Sequence, residues 1–437
     1  MEPPNKQTGC NDELTMSHDL PDLSTLPELV LIHILSFMDP KEAVQTCILS
    51  KGWRNLWTYV PYLDFDKFHF KCTDAAFVHF VTSMLLFRGA SKLDTFMLRW
   101  HTGQHEIVTD REEYCEIHLS NASAWISSAL RCKPVTISLD LSGFANLKLP
   151  LALFTCASLE NLHLEFFDSD REVIEPKYVN LPNLKRLALS SFTIKGPVMQ
   201  MFLSGCPLLE ELYLDSCSLN LSRDMVTGLK SDLLRRLTII NCQGSGLVEI
   251  FMPSLVSLEL EDLYLGITKL SLKNTPSLVK VSVCDNCFVE RYFSGAEFEF
   301  FNCLKNVTDL ELYGSGIKEL LEKIILNCEI FGDLKQLKLG KWSINEKLDL
   351  ICQLLQHTPN LEKLIVHTKD IACVPKKHAR SGKAKEKGAT GQIPFRCEHL
   401  KAIEIRYSDP SRVHELVDIL LQNISQGERV RIDVSRF

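Results

Sequence analysis

The sequence predicts an α/β chain in which a small N-terminal module of three helices is followed by a repeat solenoid with a parallel sheet on its concave face. Three observations predict it. The stretch from Leu26 to Met38 is apolar almost all the way round. From Leu159 to Leu361 a six-residue pattern of apolar positions recurs at steps of 21 to 29 residues. No run of about eighteen apolar residues occurs anywhere, so nothing is expected to span a membrane.

Between Leu29 and Leu35 only His33 is polar. A helix of that kind is buried on every side, yet the module around it holds about forty residues, a size at which a self-sufficient core is hard to build. One face is therefore expected inside the module and another against a second protein. Asp39-Pro40-Lys41-Glu42 reads as a helix start, with Asp39 as N-cap, Pro40 in the first turn and Glu42 placed for a capping box. The helix it opens carries Ala43, Val44, Cys47 and Ile48 on one stripe, and Trp53 and Trp57 stand four residues apart, a spacing that shares a helical face.

Together, LPELVLIHILSFMDPKEAVQTCILSKGWRNLW resembles the F-box in the form common in plants, over Leu23 to Asp66. A Leu-Pro start, a Leu-Ser-Phe step and a Lys-x-Trp-Arg-x-Leu-Trp end carry the resemblance. Gly52 departs from it, since the family usually has a basic residue there; in a helix glycine costs about 0.5–1 kcal/mol relative to alanine. The resemblance implies docking on a Skp-type adaptor through Leu26, Pro27, Ile32, Leu35, Val44, Ile48, Trp53 and Leu56.

After Asp66 the residues from Asp74 to Arg88 read as a helix, N-capped by Thr73 or Asp74 and stopped at Gly89. Leu93-x-x-Phe96-x-Leu98 reads as a short strand, and a second helix runs near Tyr114 to Arg131 with Ile117, Trp125, Ile126, Ala129 and Leu130 inward. Then the repeat begins, as Leu159-Leu162-Leu164, Leu184-Leu187-Leu189, Leu209-Leu212-Leu214 and Leu234-Leu237-Ile239. It continues through Leu255, Leu278, Val307, Leu334 and Leu361, with a tenth unit at Leu400-Ile403-Ile405 and a partial earlier one at Ile137-x-Leu139. This pattern and period are the leucine-rich-repeat signature. One unit cannot bury its apolar face alone; stacked units share a core, with helices or turns on the outside. Short helices are expected at Pro197 to Leu203 and Leu348 to Gln356.

The organisation thus reads as a disordered segment 1–22, the F-box at 23–66, the solenoid at 67–374, a basic disordered loop at 375–394 and a last repeat with its cap at 395–437. The loop sets Lys376, Lys377, Arg380, Lys383, Lys385 and Lys387 against Glu386 alone. It reads as a solvated insertion, with a nuclear-import signal or an anion contact as the sharper alternative. The segment after it, with Val413, Leu416, Val417, Leu420 and Leu421 on a helix and a closing strand at Val430 to Val434, resembles the FBD-like module that follows the repeats in many plant F-box proteins.

Composition bounds the function. A formal net charge of −7 argues against generic nucleic-acid binding. The polar, acidic start has no secretory core, and sixteen cysteines without framework spacing read as reduced thiols of an intracellular protein of the nucleus, the cytoplasm or both. Cys284-Asp285-Asn286-Cys287 lacks a partner pair and reads as two turn cysteines. No catalytic residue, metal site or cofactor is expected. A partner is instead expected on the strand residues that alternate with the inward leucines. These are Glu211, Tyr213, Asp215, Glu259, Glu261, Asp309, Glu311 and Tyr313 in an acidic middle, then Lys338, Lys363, His367 and Arg406 toward the C-terminus.

An F-box followed by leucine-rich repeats resembles the substrate receptors of Skp–cullin–F-box ubiquitin ligases, nearest to the plant group that includes the meiotic F-box proteins. The resemblance implies a non-catalytic subunit that reaches a cullin and a RING protein through the adaptor and holds an unidentified target on its repeats. Two other readings stay open: a scaffold without ligase output, and a chromatin-associated protein using the basic loop.

Overall fold

A computed structural model describes residues 26–89, 91–101, 111–142, 149–166, 172–220, 227–245, 248–262, 270–285, 300–325, 330–340, 348–368, 398–407, 413–423 and 430–436. The segments read as disordered, 1–22 and 375–394, lie outside these residues, as do Asn286 and Cys287 of the C-x-x-C.

The apolar triplet of each unit explains its strand. In Glu211–Asp215 the second and third apolar residues, Leu212 and Leu214, are buried while Glu211, Tyr213 and Asp215 are half-exposed, as a pleated strand with one buried face requires. The same alternation, with small variations, builds a 14-stranded sheet in which every pairing is parallel. Its first strands are Tyr62–Asp66 (β1), Thr95–His101 (β2), Thr136–Ser142 (β3), Asn161–Glu165 (β4) and Arg186–Ser190 (β5). The middle is Glu211–Asp215 (β6), Arg236–Ile240 (β7), Ser257–Glu261 (β8), Lys280–Cys284 (β9) and Asp309–Tyr313 (β10). Gln336–Gly340 (β11), Lys363–Thr368 (β12), Ala402–Tyr407 (β13) and Arg431–Arg436 (β14) complete it. Register is strict: Leu187, Leu212, Leu237 and Leu258 stand side by side across four strands. A single ladder of backbone bonds enters each strand, as Lys185 N–H donates to Glu160, Glu210 to Lys185 and Arg235 to Glu210, each at 2.8–2.9 Å.

The sheet starts earlier than the sequence pattern suggests. β1 lies inside the 23–66 segment read as F-box, and β2 and β3 precede the first full leucine triplet. Phenylalanine takes one inward position in each, Phe65 beside Leu63 in β1 and Phe96 beside Leu98 in β2, and all four are fully buried. The same end of the core is aromatic: the Trp100 and Trp125 rings stack at 5.1 Å, with Phe77 edge-on to both.

Each strand must then turn to return. Ser191, Ser216, Asn241 and Asp262, the residues directly after β5 to β8, take positive φ values of 65, 53, 51 and 44°. Asn and Asp tolerate this left-handed region better than other non-glycine residues because their short polar side chains can hydrogen-bond locally. The turn aims the next residue inward, where Phe192, Cys217 and Cys242 are buried. The two thiols donate to the Leu189 and Leu214 carbonyls of the preceding repeat, and burial with mutual contact leaves them structural.

The outside corrects the expectation of helices or turns. The middle repeats return through further parallel strands, one sheet joining Thr227–Lys230, Val248–Phe251 and Leu270–Asn274. Steps of 21 and 23 residues, from Leu234 to Leu255 and on to Leu278, leave little length for helical turns. Elsewhere helices do form, at Gly196–Gly205, Ser315–Ile324, Leu348–Gln356 and Val413–Gln422. β14 closes the sheet with most of its residues exposed.

The F-box folds from Glu28–Leu35 (α1) and Pro40–Gln45 (α2), with one-turn 3-10 segments at Thr46–Ile48 and Leu56–Tyr59. Asp39 caps α2, accepting the Lys41 N–H at 2.7 Å. The third expected helix is only that last turn. Gly52 and Trp53 lie in the turn before it, so no helical cost attaches to Gly52 and the two tryptophans share no helix face. After it come a short helix, Lys67–Phe70 (α3), then Asp74–Arg88 (α4), capped by Thr73 and ended by Gly89 at φ 65°, and Arg111–Arg131 (α5). Arg88, 3% exposed, ties module to solenoid: its guanidinium donates to the Val60 carbonyl and to Lys92 at 2.6 Å. Val44 and Trp57 pack on the solenoid core from the F-box side.

The alternation makes a sharp stability prediction. Leu212→Ala leaves a cavity between Leu187 and Leu237 and should cost about 2–5 kcal/mol. Glu211→Ala, one position away on the surface, should cost no more than about 1 kcal/mol. Thermal melts of the two variants measure it; equal losses contradict the inward–outward assignment.

Candidate functional site

Two surfaces qualify. In the F-box, six residues make the core: Leu31, Leu35, Ala43, Trp53, Leu56 and Val60. A module this small has few apolar residues to spare for its interior. Leu35, Trp53 and Leu56 are consumed there, which corrects their assignment as adaptor-facing; as buried core they offer a partner no surface. Val44 is half-buried and faces the solenoid. Leu26 and Ile32 are half-buried against the F-box core, while Pro27 and Ile48 are exposed. What the residue reading passed over is equally plain: Leu29 (80% exposed), Phe37 (78%) and Leu49 stand with Ile48 (83%) as bare apolar side chains. The all-round apolar pattern of α1 carried the signal for Leu29. The exposed Phe37 ring is held edge-on by His33, with centroids 4.9 Å apart.

The second surface is the sheet's concave face. Strict register sets its side chains in rows, and rows bring charges together that lie one repeat apart. Glu211 of β6 sits between Arg186 of β5 and Arg236 of β7, each bonded to its carboxylate. Partial burial raises the Glu211 carboxyl, but the two arginines outweigh it and hold it below the ordinary carboxylate range. Glu311 of β10 is likewise held down, against burial, by Lys280 at 3.1 Å and Lys338 at 3.5 Å. The expected acidic middle is thus partly neutralised. So is the expected basic end, where Glu404 pairs with Lys363 at 3.8 Å and Arg406 at 2.8 Å.

The remaining candidates differ. Among the described residues Asp215 accepts only from uncharged groups, Ser216 at 2.9 Å, Tyr213 at 3.4 Å and Asn241 at 3.5 Å. Glu259 accepts from Thr238 at 3.4 Å. Neither these two carboxylates nor Glu261 has an ion-pair partner among the described residues. Asp309 accepts from the neighbouring Thr308 hydroxyl at 2.7 Å. Partial burial, with Asp215, Glu259 and Glu165 around it, pushes the Tyr213 hydroxyl up to about 12. Burial, then Asp140 and Asp215 nearby, raises the Glu165 carboxyl of β4. Tyr313 lies across β11: a Cβ on Gly340 would collide with its ring, and the Lys338 ammonium sits 5.3 Å from the ring centroid. His367 on β12 is half-buried, and its basicity is lowered by burial and by Lys338.

Among the described residues no cluster of three or more His, Cys, Asp or Glu side chains could hold a metal ion, and no helix is long and apolar enough to cross a membrane. Cys284 ends β9, and Asp285 after it is buried against Gly316.

Comparison with known proteins matches two segments of the chain to families. Residues 23–64 match the F-box domain, and residues 137–285 match the leucine-rich repeats of the FBD-associated F-box protein At5g56370. Similar proteins of Arabidopsis thaliana include F-box/LRR-repeat protein At3g58940, 28% identical over 79% of this chain and 54% of its own length. F-box/LRR-repeat protein At4g14096 is 29% identical over 82% of this chain and 73% of its own length. F-box/LRR-repeat protein 13 is 25% identical over 92% and 87%. The chain spans less than two thirds of the length of several such relatives, 64% and 57% in two further cases. The chain carries an F-box domain and leucine-rich repeats of the kind found in FBD-associated F-box proteins, and it is similar to the F-box/LRR-repeat proteins of Arabidopsis thaliana.

Proposed function

We propose that this protein is the substrate-receptor subunit of a Skp–cullin–F-box ubiquitin ligase. The F-box holds a Skp-type adaptor, the adaptor joins a cullin carrying a RING protein, and the concave face of the repeats holds a target protein inside the cell. The observation that carries this reading is an F-box whose core is complete and which still presents Leu29, Phe37, Ile48 and Leu49 bare. Exposed apolar patches of this kind mark interaction sites.

The chain makes and breaks no bond in this scheme. Holding a target beside ubiquitin-charged enzyme raises the effective concentration of its lysines there and converts a bimolecular encounter into a local one. Tyr213, Asp215, Glu259 and Glu261 are the target-facing residues, with Tyr313 as a fixed aromatic platform on Gly340. Glu211 and Glu311 serve the face itself, since cations within it already meet their charges, while Asp309, bonded to the Thr308 hydroxyl as Asp215 is to Ser216, stays with the target-facing set. Unmatched carboxylates around Tyr213 favour a target with a basic segment. Such charges steer association, while a desolvated aromatic side chain holds the complex.

Two experiments test the two halves. Ile48→Asp sets a charge on an exposed position, so it should abolish co-purification of a recombinant Skp-type adaptor with no change in melting temperature. Undiminished adaptor binding contradicts the F-box half. For the repeats, surface-plasmon kinetics against a target captured with the intact chain should show slower association for the pair Glu259→Lys and Glu261→Lys. Tyr213→Ala should instead speed dissociation. Unaltered kinetics in all of these, with binding lost on deletion of residues 375–394, would move recognition to the basic loop.

A further inference from the structure

Exposed apolar side chains do not stop at the end of the F-box. Leu86 (74% exposed) and Phe87 (70%) are adjacent on the last turn of α4, outside the segment that matches the F-box. Their neighbours on the same helix, Leu85 and Arg88, are buried, so the turn is anchored and these two side chains point away from the solenoid core. The anchor also locates them. Arg88 is bonded to the carbonyl of Val60, the last core residue of the F-box, and α4 packs against the 3-10 turn Leu56–Tyr59. Tyr59 in that turn is itself exposed, as are Ile48 and Leu49 earlier in the module. The apolar helix end is thus fixed to the turn that carries the exposed Tyr59.

Size argues in the same direction. A stable interface takes about 20–30 residues from each partner. Only about half of the described F-box residues are exposed, which barely reaches that number even if a partner covered every one of them. Phe87 and Leu86 each carry on the order of 100–150 Å² of accessible apolar surface at these exposures. That is a useful extension of the patch, and costly to leave in water.

We propose that the adaptor-binding surface runs past the F-box onto the C-terminal turn of α4, with Leu86 and Phe87 as contacts of the Skp-type adaptor. This rests on the adaptor reading of the F-box given above. It assigns Arg88 a role as a positioning residue, since it holds the two halves of the surface in one orientation without touching the partner.

The test uses the full chain and a recombinant plant Skp-type adaptor, with affinity measured by titration calorimetry. The double variant Leu86→Ser and Phe87→Ser, both at exposed positions, should keep its melting temperature and weaken the adaptor Kd ten- to a hundredfold. Ile48→Asp serves as the reference for the F-box itself. Loss of binding in Ile48→Asp with parental affinity in the double variant overturns this inference and leaves the F-box reading intact. Parental affinity in both overturns both. Hydrogen exchange on the unsubstituted chain gives a second readout free of any folding effect: adaptor should slow exchange at Leu85 to Gly89, and unchanged exchange there counts against the contact. A parent chain that is dimeric by light scattering and becomes monomeric in the double variant, with adaptor affinity unchanged, would show that the patch joins two copies and overturn the proposal.

Discussion

Each repeat has two inward side chains that it cannot bury by itself, and the rest of the structure follows from that. Leu212 and Leu214 are covered only because Leu187 and Leu189 stand on one side and Leu237 and Ile239 on the other. Burying a leucine-sized side chain stabilises by roughly 1.5–3 kcal/mol. A slip of one residue in any strand would reverse its inward set, so register is strongly specified along the sheet. The left-handed residues after β5 to β8 are a consequence: the chain has to leave each strand at the same place to keep the next inward position in line.

Fixed register also decides which charges on the concave face are matched. Residues one repeat apart in sequence become neighbours across the sheet, so charges are matched or left unmatched by position. Arg186 and Arg236 both pair with Glu211 and more than offset its charge, while Asp215, Glu259 and Glu261, among the described residues, are left without a cation. Backbone-mounted side chains on a rigid sheet lose little freedom when a partner binds, which favours affinity. The F-box is tied to that sheet through Arg88, Val44 and Trp57.

Much of this was legible in the residues. Leucines at regular steps gave every strand from β4 to β13, and alternation gave the outward residues between them. β1 and β2 were harder to read as repeats because phenylalanine stands in for leucine and long helices separate them. Ion pairing was readable in principle, since Arg186 and Arg236 each lie 25 residues from Glu211, one full repeat step. The pairs run across strands, though, and no single strand's residues display them. The F-box was the opposite case. Its family was plain from the motif, but in so small a module apolar residues serve both as core and as contact surface, and composition cannot divide them. Leu35 and Trp53 fall to the core while Leu29 and Phe37 remain outside.

A receptor and a passive scaffold would share all of these contacts; they differ in what happens to the captured protein. The direct measurement is quantitative mass spectrometry of ubiquitin-modified peptides on proteins co-purified with the repeats, under proteasome inhibition, from cells expressing either the parent chain or Ile48→Asp. A receptor predicts the same captured proteins in both, heavily ubiquitin-modified with the parent and much less so with the variant. Captured proteins carrying equal ubiquitin in the two cases would contradict the account.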